Sequence, residues 1–450
     1  MTGGWKRLAL TGWGRSSSAA MEACRPERLS EARRRIAQAG REGIIAFGGG
    51  RSYGDAALNT GGRAMLTRRL DRILAFDPET GDLAAEPGVT FADLLEIFLP
   101  RGFLVPVTPG TAFATLGGAV ANDVHGKNHD RAGSFGDHVQ WLDLLLPSGE
   151  VARISPRERP GLFAATIGGL GLTGVIVGIA LRLMRVPSAH VTVRERRIAD
   201  LDGFLAAFAE HRASASYSVG WIDGLARGAR LGRGILEIAE PSAEGTAGAP
   251  AKAKARRVPR DLPGAVLNPL SIGLFNELYY RRVPAGGRER RLPYGKFLYP
   301  LDSVEDWNRI YGKRGFYQFQ CVLPDEASPA GLRALLEAVS AARGASFLAV
   351  LKTLGGAGRG HLSFPMRGHT LALDFPRRGG VDDLMRRLER LTLDHDGRIY
   401  PAKDACLSPE GFAAMYPKLA DFRRVLREID PDARMQSDMA RRLNIRGDAP

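Results

Sequence analysis

Between residues 107 and 139 the chain reads VTPGTAFATLGGAVANDVHGKNHDRAGSFGDHV, and three of its eight histidines fall there among small residues. His125 in this stretch can hydrogen-bond a ligand or take a proton from a hydroxyl, because an imidazole titrates near neutral pH. Lys127 suits an anion or solvent, and His129 suits a structural role. Lys352 interrupts the apolar run AVLKTL, where an ammonium is costly to bury without an anionic partner. Gln318 and Gln320 alternate in YQFQ, so both amides face one side of a strand and suit the hydroxyls of a sugar. Glycine supplies the remaining chemistry. Clusters at 48–55 (GGGRSYGD), within 107–139, and at 168–174 (GGLGLTG) let backbone N–H groups approach an anion such as a pyrophosphate. Three clusters in the first 180 residues point to one extended ligand laid across several loops.

The elements that must position these residues can be read in order. Residues 26–40 predict a helix with Leu29, Ala32, Ile36 and Ala39 on its apolar stripe, ended by Gly40. GIIAF at 43–47 predicts a buried strand that runs into the first glycine cluster with no helix after it. Short strands are expected over 64–88. Thr90 and Asp93 then form a capping box for a helix that Pro100 and Gly102 stop. WLDLLLPSGEVARI reads as a hairpin. GGLGLTG satisfies GxGxxG, but the alternating run VIVGIALRLM that follows predicts a strand, whereas a dinucleotide fingerprint requires a helix there. No Walker A loop occurs. Past residue 186 the glycine clusters stop. Residues 240–263 and 281–291 read as two basic loops, and three strands alternate with helices between 317 and 394, as in an antiparallel sheet covered by helices.

Composition excludes several classes. The chain has 450 residues, 44% hydrophobic and 25% charged, which suits a globular protein of two or three domains. Three cysteines without a CxxC pair rule out a disulfide framework or cysteine zinc site, fit a reducing compartment, and no metal is expected. No signal peptide or membrane span is evident, so a cytoplasmic location, or a peripheral one at the inner membrane, is expected. The net charge of +14 favours anionic partners, yet it is spread along the chain without a nucleic-acid recognition motif. No nucleic acid is expected as a partner.

GGGRSYGD, the PGT…LGGA…HGKNH stretch and the lysine loop YPAKD together resemble the vanillyl-alcohol-oxidase type of FAD flavoprotein. LTGWGR, AGSFG, LSFP and SDMARRL extend the resemblance over nearly the whole chain, toward the oxidases of polyprenyl-phosphoryl ribose within that type. The resemblance implies an α+β fold with a two-part FAD-binding domain, 1–188 and 398–450. An antiparallel-sheet-plus-helices substrate domain, 189–397, is inserted between the parts. It implies that Gly48, Gly49, Gly50, Arg51, Ser52, Tyr53 and Gly54 face Gly110, Thr111, Thr115, Gly117 and Gly118 across the FAD pyrophosphate. Asn122, Val124, His125, Gly126 and Ile176 would line the cofactor, and Tyr400 would approach it from the returning C-terminal segment. Lys403 matches the family's essential lysine. As a fixed cation it would answer the charge that gathers on a flavin during hydride transfer, with His125 as the second catalytic residue. Gln318, Gln320 and Lys352 would meet substrate. GGGRSYGD lacks the histidine that tethers flavin in several relatives, so FAD is expected to be dissociable. Ala372 and Thr370 stand where actinobacterial members carry cysteine and asparagine. The expected reaction is oxidation of the ribose 2′-hydroxyl of a polyprenyl-phosphoryl ribose, with an NADH-dependent short-chain reductase consuming the keto product. The two basic loops would face an anionic membrane or the lipid phosphate. The alternatives are an oxidase of a soluble sugar, alditol or aldonolactone, and a non-enzymatic basic protein.

Overall fold

The computed structural model describes residues 4–245, 256–344 and 347–447. Lys6–Thr11, Ser18–Cys24, Ile44–Phe47 and Arg63–Leu66 form a first sheet in the spatial order first, second, fourth, third. Ile44–Phe47 and Arg63–Leu66 run parallel, which demands a crossover between them. Here the glycine loop itself makes that crossover, so it stays stretched across the strand ends. The C-terminal segment returns to this sheet, with Gln436 N–H donating to Ile44 O at 3.0 Å and Ile44 N–H to Arg434 O at 2.7 Å.

A second, antiparallel sheet orders Ile73–Phe76, Asp82–Ala85, Val175–Arg182, Val139–Leu145 and Val151–Ile154. The run after GGLGLTG is thus the sheet's central strand, buried from Val175 to Leu181, and no helix follows the glycines. The Thr90–Asp93 capping box opens helix Phe91–Phe98, and Gly102 closes the following turn at φ 77°. The helix expected over 26–40 is shorter, Leu29–Ile36, because Arg28 at its N-cap offers no side-chain acceptor; Leu29 is exposed, and Ala32 and Ile36 carry the stripe.

The third sheet has eight strands, all antiparallel: Arg288–Pro293, His190–Ile198, Gly234–Pro241, Tyr217–Ile222, Ala349–Leu354, Gly368–Pro376, Phe316–Pro324 and Arg398–Ile399. Helices Leu201–His211, Ser328–Ala342 and Val381–Asp394 pack on one face. The other face carries Trp221, Gln318, Gln320, Lys352 and Ala372 toward the glycine loops.

Two expectations change here. Residues 281–291 are not a free basic loop. Arg281 ends the helix Pro269–Arg281, and Arg288–Pro293 pairs with His190–Ile198 as an edge strand. The cause is Glu195, buried on the neighbouring strand, which gathers Arg282, Arg288 and Arg290. A buried carboxylate is tolerated when it is paired and hydrogen-bonded. Of the loop expected over 240–263, residues 246–255 lie outside the described residues, and Arg256–Arg257 pairs with Val304–Glu305.

Candidate active site

A cavity of about 780 Å³ lies where the glycine loops meet the open face of the eight-stranded sheet. Every residue assigned from the sequence to cofactor, substrate or catalysis lines it: the 48–54 loop, Gly110, Thr111, Thr115, Gly117, Gly118, Asn122, Val124, His125, Gly126, Ile176, Gln318, Gln320, Lys352, Tyr400 and Lys403. Side chains as distant in sequence as Tyr53 and Lys403 therefore share one wall.

The glycine-rich half is built by close backbone approach. A Cβ on Gly48 would stand 2.5 Å from Thr115 Oγ1, one on Gly49 2.6 Å from the Phe113 carbonyl, and one on Gly54 1.9 Å from the Asp404 carbonyl. The first loop is thus pressed against both the 110–118 loop and the returning C-terminal segment. Thr115 Oγ1 accepts from Gly118 N–H at 3.2 Å and caps the short helix Leu116–Ala121. Tyr400 donates its hydroxyl to the Asn122 carbonyl at 2.9 Å and stacks on Phe364. Arg442 joins the two ends of the chain, donating to Asp55 at 2.8 and 2.9 Å and to Asp404 at 2.9 Å. Asn122 Oδ1 and Arg51 Nε are buried without a hydrogen-bond partner, and both belong to residues lining this half. Buried polar atoms seldom stay unpaired. A narrow cradle with unspent polar groups fits a dinucleotide.

The other half is a polar floor. Lys403 Nζ lies 3.8 Å from the centre of the Tyr53 ring. Burial pushes its ammonium down to about 8, against the pull of Asp374. Burial, then repulsion from Lys127 and Lys403, takes Lys352 down to about 7. Lys352 Nζ reaches His125 Nδ1 at 3.3 Å, while Gln320 Nε2 lies 2.9 Å from His125 Nε2. His125 titrates well below its ordinary value because it is buried and faces Lys352, so it is neutral. A neutral imidazole has one donor and one acceptor nitrogen. Because the Gln320 amide N–H donates to Nε2, the ring proton sits on Nδ1 and donates to a neutral Lys352 amine, which couples the two groups. His129 is structural, as its Nδ1 accepts from Gly355 N–H at 2.9 Å. Lys127 is not in solvent: it donates to the Phe297 carbonyl and sits over that ring.

The sequence reading missed Asp374. It stands opposite Gln318 in the strand register, accepts from Gln318 Nε2 at 2.5 Å and from Tyr311 Oη at 3.0 Å, and burial raises its carboxyl to about 7. The signal was present: a carboxylate in the apolar run HTLALDFP poses the same burial problem as Lys352. Asp302 was also missed. It accepts from Thr111 Oγ1 at 2.8 Å and Ala112 N–H at 2.6 Å, fastening the second loop. Farther out, Lys127, Arg282, Arg290 and Lys296 outnumber Glu237 and the Glu195 that holds both arginines, and leave that end of the cavity basic.

The family described as "FAD binding domain" matches residues 22–155. Across 449 residues, 97% of each chain, the sequence is 36% identical to the decaprenylphosphoryl-beta-D-ribose oxidase of Mycolicibacterium smegmatis. The chain belongs to this oxidase family. It is an FAD-dependent oxidoreductase of the vanillyl-alcohol-oxidase fold. More distant similarity is partial. A D-lactate dehydrogenase of Anaerostipes hadrus is 28% identical over 143 residues, 30% of each chain. The D-arabinono-1,4-lactone oxidase of Yarrowia lipolytica is 26% identical over 153 residues, 33% of this chain and 29% of its own. Among the described residues, no group of three or more histidine, cysteine or acidic side chains is arranged to hold a metal, and no helix is long and apolar enough to cross a membrane. Ala372 lines the cavity, so that position of the family's pocket carries no thiol.

Proposed function

We propose that the protein oxidises the 2′-hydroxyl of a polyprenyl-phosphoryl-β-D-ribose to the 2′-keto sugar, the first half of an epimerisation to the arabinose lipid. The observation that carries this reading is the order of groups along one cavity: glycine-lined cradle, polar floor with two amides and two lysines, then basic end. When bound, FAD supplies the acceptor for the hydride leaving the sugar carbon. The 48–54 and 110–118 loops hold its pyrophosphate, and Asn122, Val124, Gly126, Ile176 and Tyr400 flank it. GGGRSYGD holds no histidine that could tether it, and acid precipitation is expected to release free FAD. Gln318 and Gln320 bind sugar hydroxyls. The hydroxyl proton is taken by the coupled Lys352–His125 pair, which an ammonium near pH 7 and a neutral imidazole are suited to share. Lys403 holds a buried cation where negative charge collects as the hydride departs. The basic end, with Lys127, Arg282 and Arg290, takes the substrate phosphate. The FAD part comprises 1–188 and 398–450, and 189–397 provides the substrate part. The keto product passes to a separate NADH-dependent reductase.

The soluble-sugar alternative is disfavoured because similarity to the lactone oxidase covers 33% of this chain, against 97% for the decaprenylphosphoryl-ribose oxidase. Anaerobic titration separates the two. A polyprenyl-phosphoryl ribose is expected to bleach the flavin, and free pentoses, alditols and aldonolactones to leave it yellow. Equal bleaching by a free sugar or lactone refutes the proposal.

A further inference from the structure

Nine large apolar side chains are exposed among the described residues, and five of them, Val266, Leu270, Leu274, Phe275 and Leu278, fall within thirteen residues. The helix Pro269–Arg281 that carries four of them is securely placed. Asn268 caps it, Ile272 and Asn276 are buried beneath it, and Asn276 donates to Asp223 at 2.6 Å. Its outer face is a different matter. Leu270, Leu274 and Leu278 repeat every four residues and are 85%, 63% and 64% exposed, so they form one ridge. A soluble surface seldom leaves such a patch bare unless something docks there.

Charge and position identify what docks. Arg256, Arg257 and Arg260 are exposed on the segment leading into the helix, Arg257 in an ion pair with Asp306, and Arg281 is exposed on the ridge's far end beside Glu277. Among the acidic residues of this region, Asp261 is engaged by Arg15, Glu277 by Arg233 and Arg281, and Asp306 by Arg257, which leaves Arg256 and Arg260 as the basic excess over Glu305. A leucine ridge between exposed arginines is the pattern of a helix lying in the headgroup layer of an anionic bilayer. The inner side of the same helix reaches the cavity: Tyr279 packs on Trp221 with ring centres 4.7 Å apart, and Tyr279, Arg282 and Trp221 all line the basic end. One helix therefore joins the bare ridge to the end of the cavity suited to a phosphate.

We infer that the helix Pro269–Arg281 docks on an anionic lipid bilayer through Leu270, Leu274 and Leu278. A lipid-linked substrate then enters headgroup first past Tyr279 and Arg282 while its tail stays in the membrane. The membrane contact stands on the ridge itself; the passage of substrate rests on the function proposed above.

The test uses the FAD-loaded full chain, the double variant Leu274→Gln/Leu278→Gln, and vesicles of phosphatidylcholine with or without phosphatidylglycerol. The wild type is expected to co-sediment with the anionic vesicles and far less with neutral ones. The variant should lose at least about tenfold in partitioning, since two leucines no longer enter the bilayer. Its turnover of a short-prenyl analogue in solution should match wild type, and its turnover of a long-prenyl substrate embedded in vesicles should fall with the partitioning. A wild type indifferent to vesicles overturns the inference, as does a variant that binds them equally well. So does a wild-type dimer that the two substitutions convert to monomer, because the ridge is then a contact between copies. Vesicle binding lost in the variant, without oxidation of any polyprenyl-phosphoryl ribose by the wild type, upholds the docking and refutes the function.

Discussion

Lys403→Ala is the substitution on which the proposed chemistry depends most directly. Burial lowers this ammonium from 10.5 to about 8. At about 1.4 kcal/mol per pH unit the site holds its cation at a cost of roughly 3 kcal/mol, somewhat less because the amine opens onto the cavity. Negative charge developing beside it removes that cost, whereas a neutral alcohol in the ground state does not. Preorganised groups of this kind are worth about 10²–10³ in rate, the same size as the burial penalty. The alanine variant is therefore expected to slow anaerobic flavin reduction by about a hundredfold or more, with substrate affinity changed only a few-fold. Rapid-mixing spectroscopy at saturating substrate reads the first quantity and its concentration dependence reads the second, both on protein with full flavin content. The pH dependence follows with a definite sign. The cationic form is lost as pH rises through about 8, so the wild-type rate declines on the alkaline side. Lys403→Arg keeps its charge at every accessible pH and should lack that decline, at a reduced but measurable rate. Flavin reduction at the wild-type rate in the alanine variant refutes the role. A loss confined to substrate affinity refutes it equally, since that would make Lys403 a ground-state contact.

Two further outcomes concern the frame. Arg442→Met leaves Asp55 and Asp404 buried without their shared partner, which should cost about 3–5 kcal/mol and lower both the urea midpoint and the retained FAD; an unchanged midpoint contradicts the clasp. His129 and His369 are each held down to about 4 by burial. Both states are neutral above the unfolded value of about 6.5, and the unfolded chain binds more protons below it. Stability of the apoprotein should therefore fall as pH drops from about 6.5 to about 4, by roughly 2–3 kcal/mol for each histidine at the limit. Urea denaturation across that range checks this, and a flat profile excludes it.

What could be read in the chain was whatever depends on neighbours in sequence. The Thr90–Asp93 box, the strand after GGLGLTG and the shared face of Gln318 and Gln320 each rest on a spacing of two to four residues, and each forms. What could not be read depends on register between distant strands. RERRLP at 288–293 has no apolar alternation, and it becomes a strand because Glu195, about ninety residues earlier, lies opposite. Asp374 meets Gln318 only once Phe316–Pro324 and Gly368–Pro376 are aligned. The helix Pro269–Arg281 was not anticipated because its leucines point outward while Ile272 and Asn276 point in. Apolar residues on opposite sides give no single stripe to detect.

The same contrast decides how the basic residues behind the net charge of +14 are read. Many arginines are held by carboxylates within the fold and away from the cavity, as Arg212 is by Asp130 and Asp325, and Arg446 by Asp430. Those charges are structural and say little about partners. The lysines of the cavity are different. Lys127, Lys352 and Lys403 are all lowered by burial, and Lys352 further by repulsion from the other two. Asp374 and Glu237 are the carboxylates that pull against them, and Asp374 is itself raised to about 7. Seven basic side chains line the cavity against four carboxylates, Glu237, Asp302, Glu305 and Asp306, which leaves it short of negative charge. A phosphodiester at one end and charge arriving with the hydride at the other would each relieve that shortage, which supports the proposed anionic sugar ester over a neutral sugar.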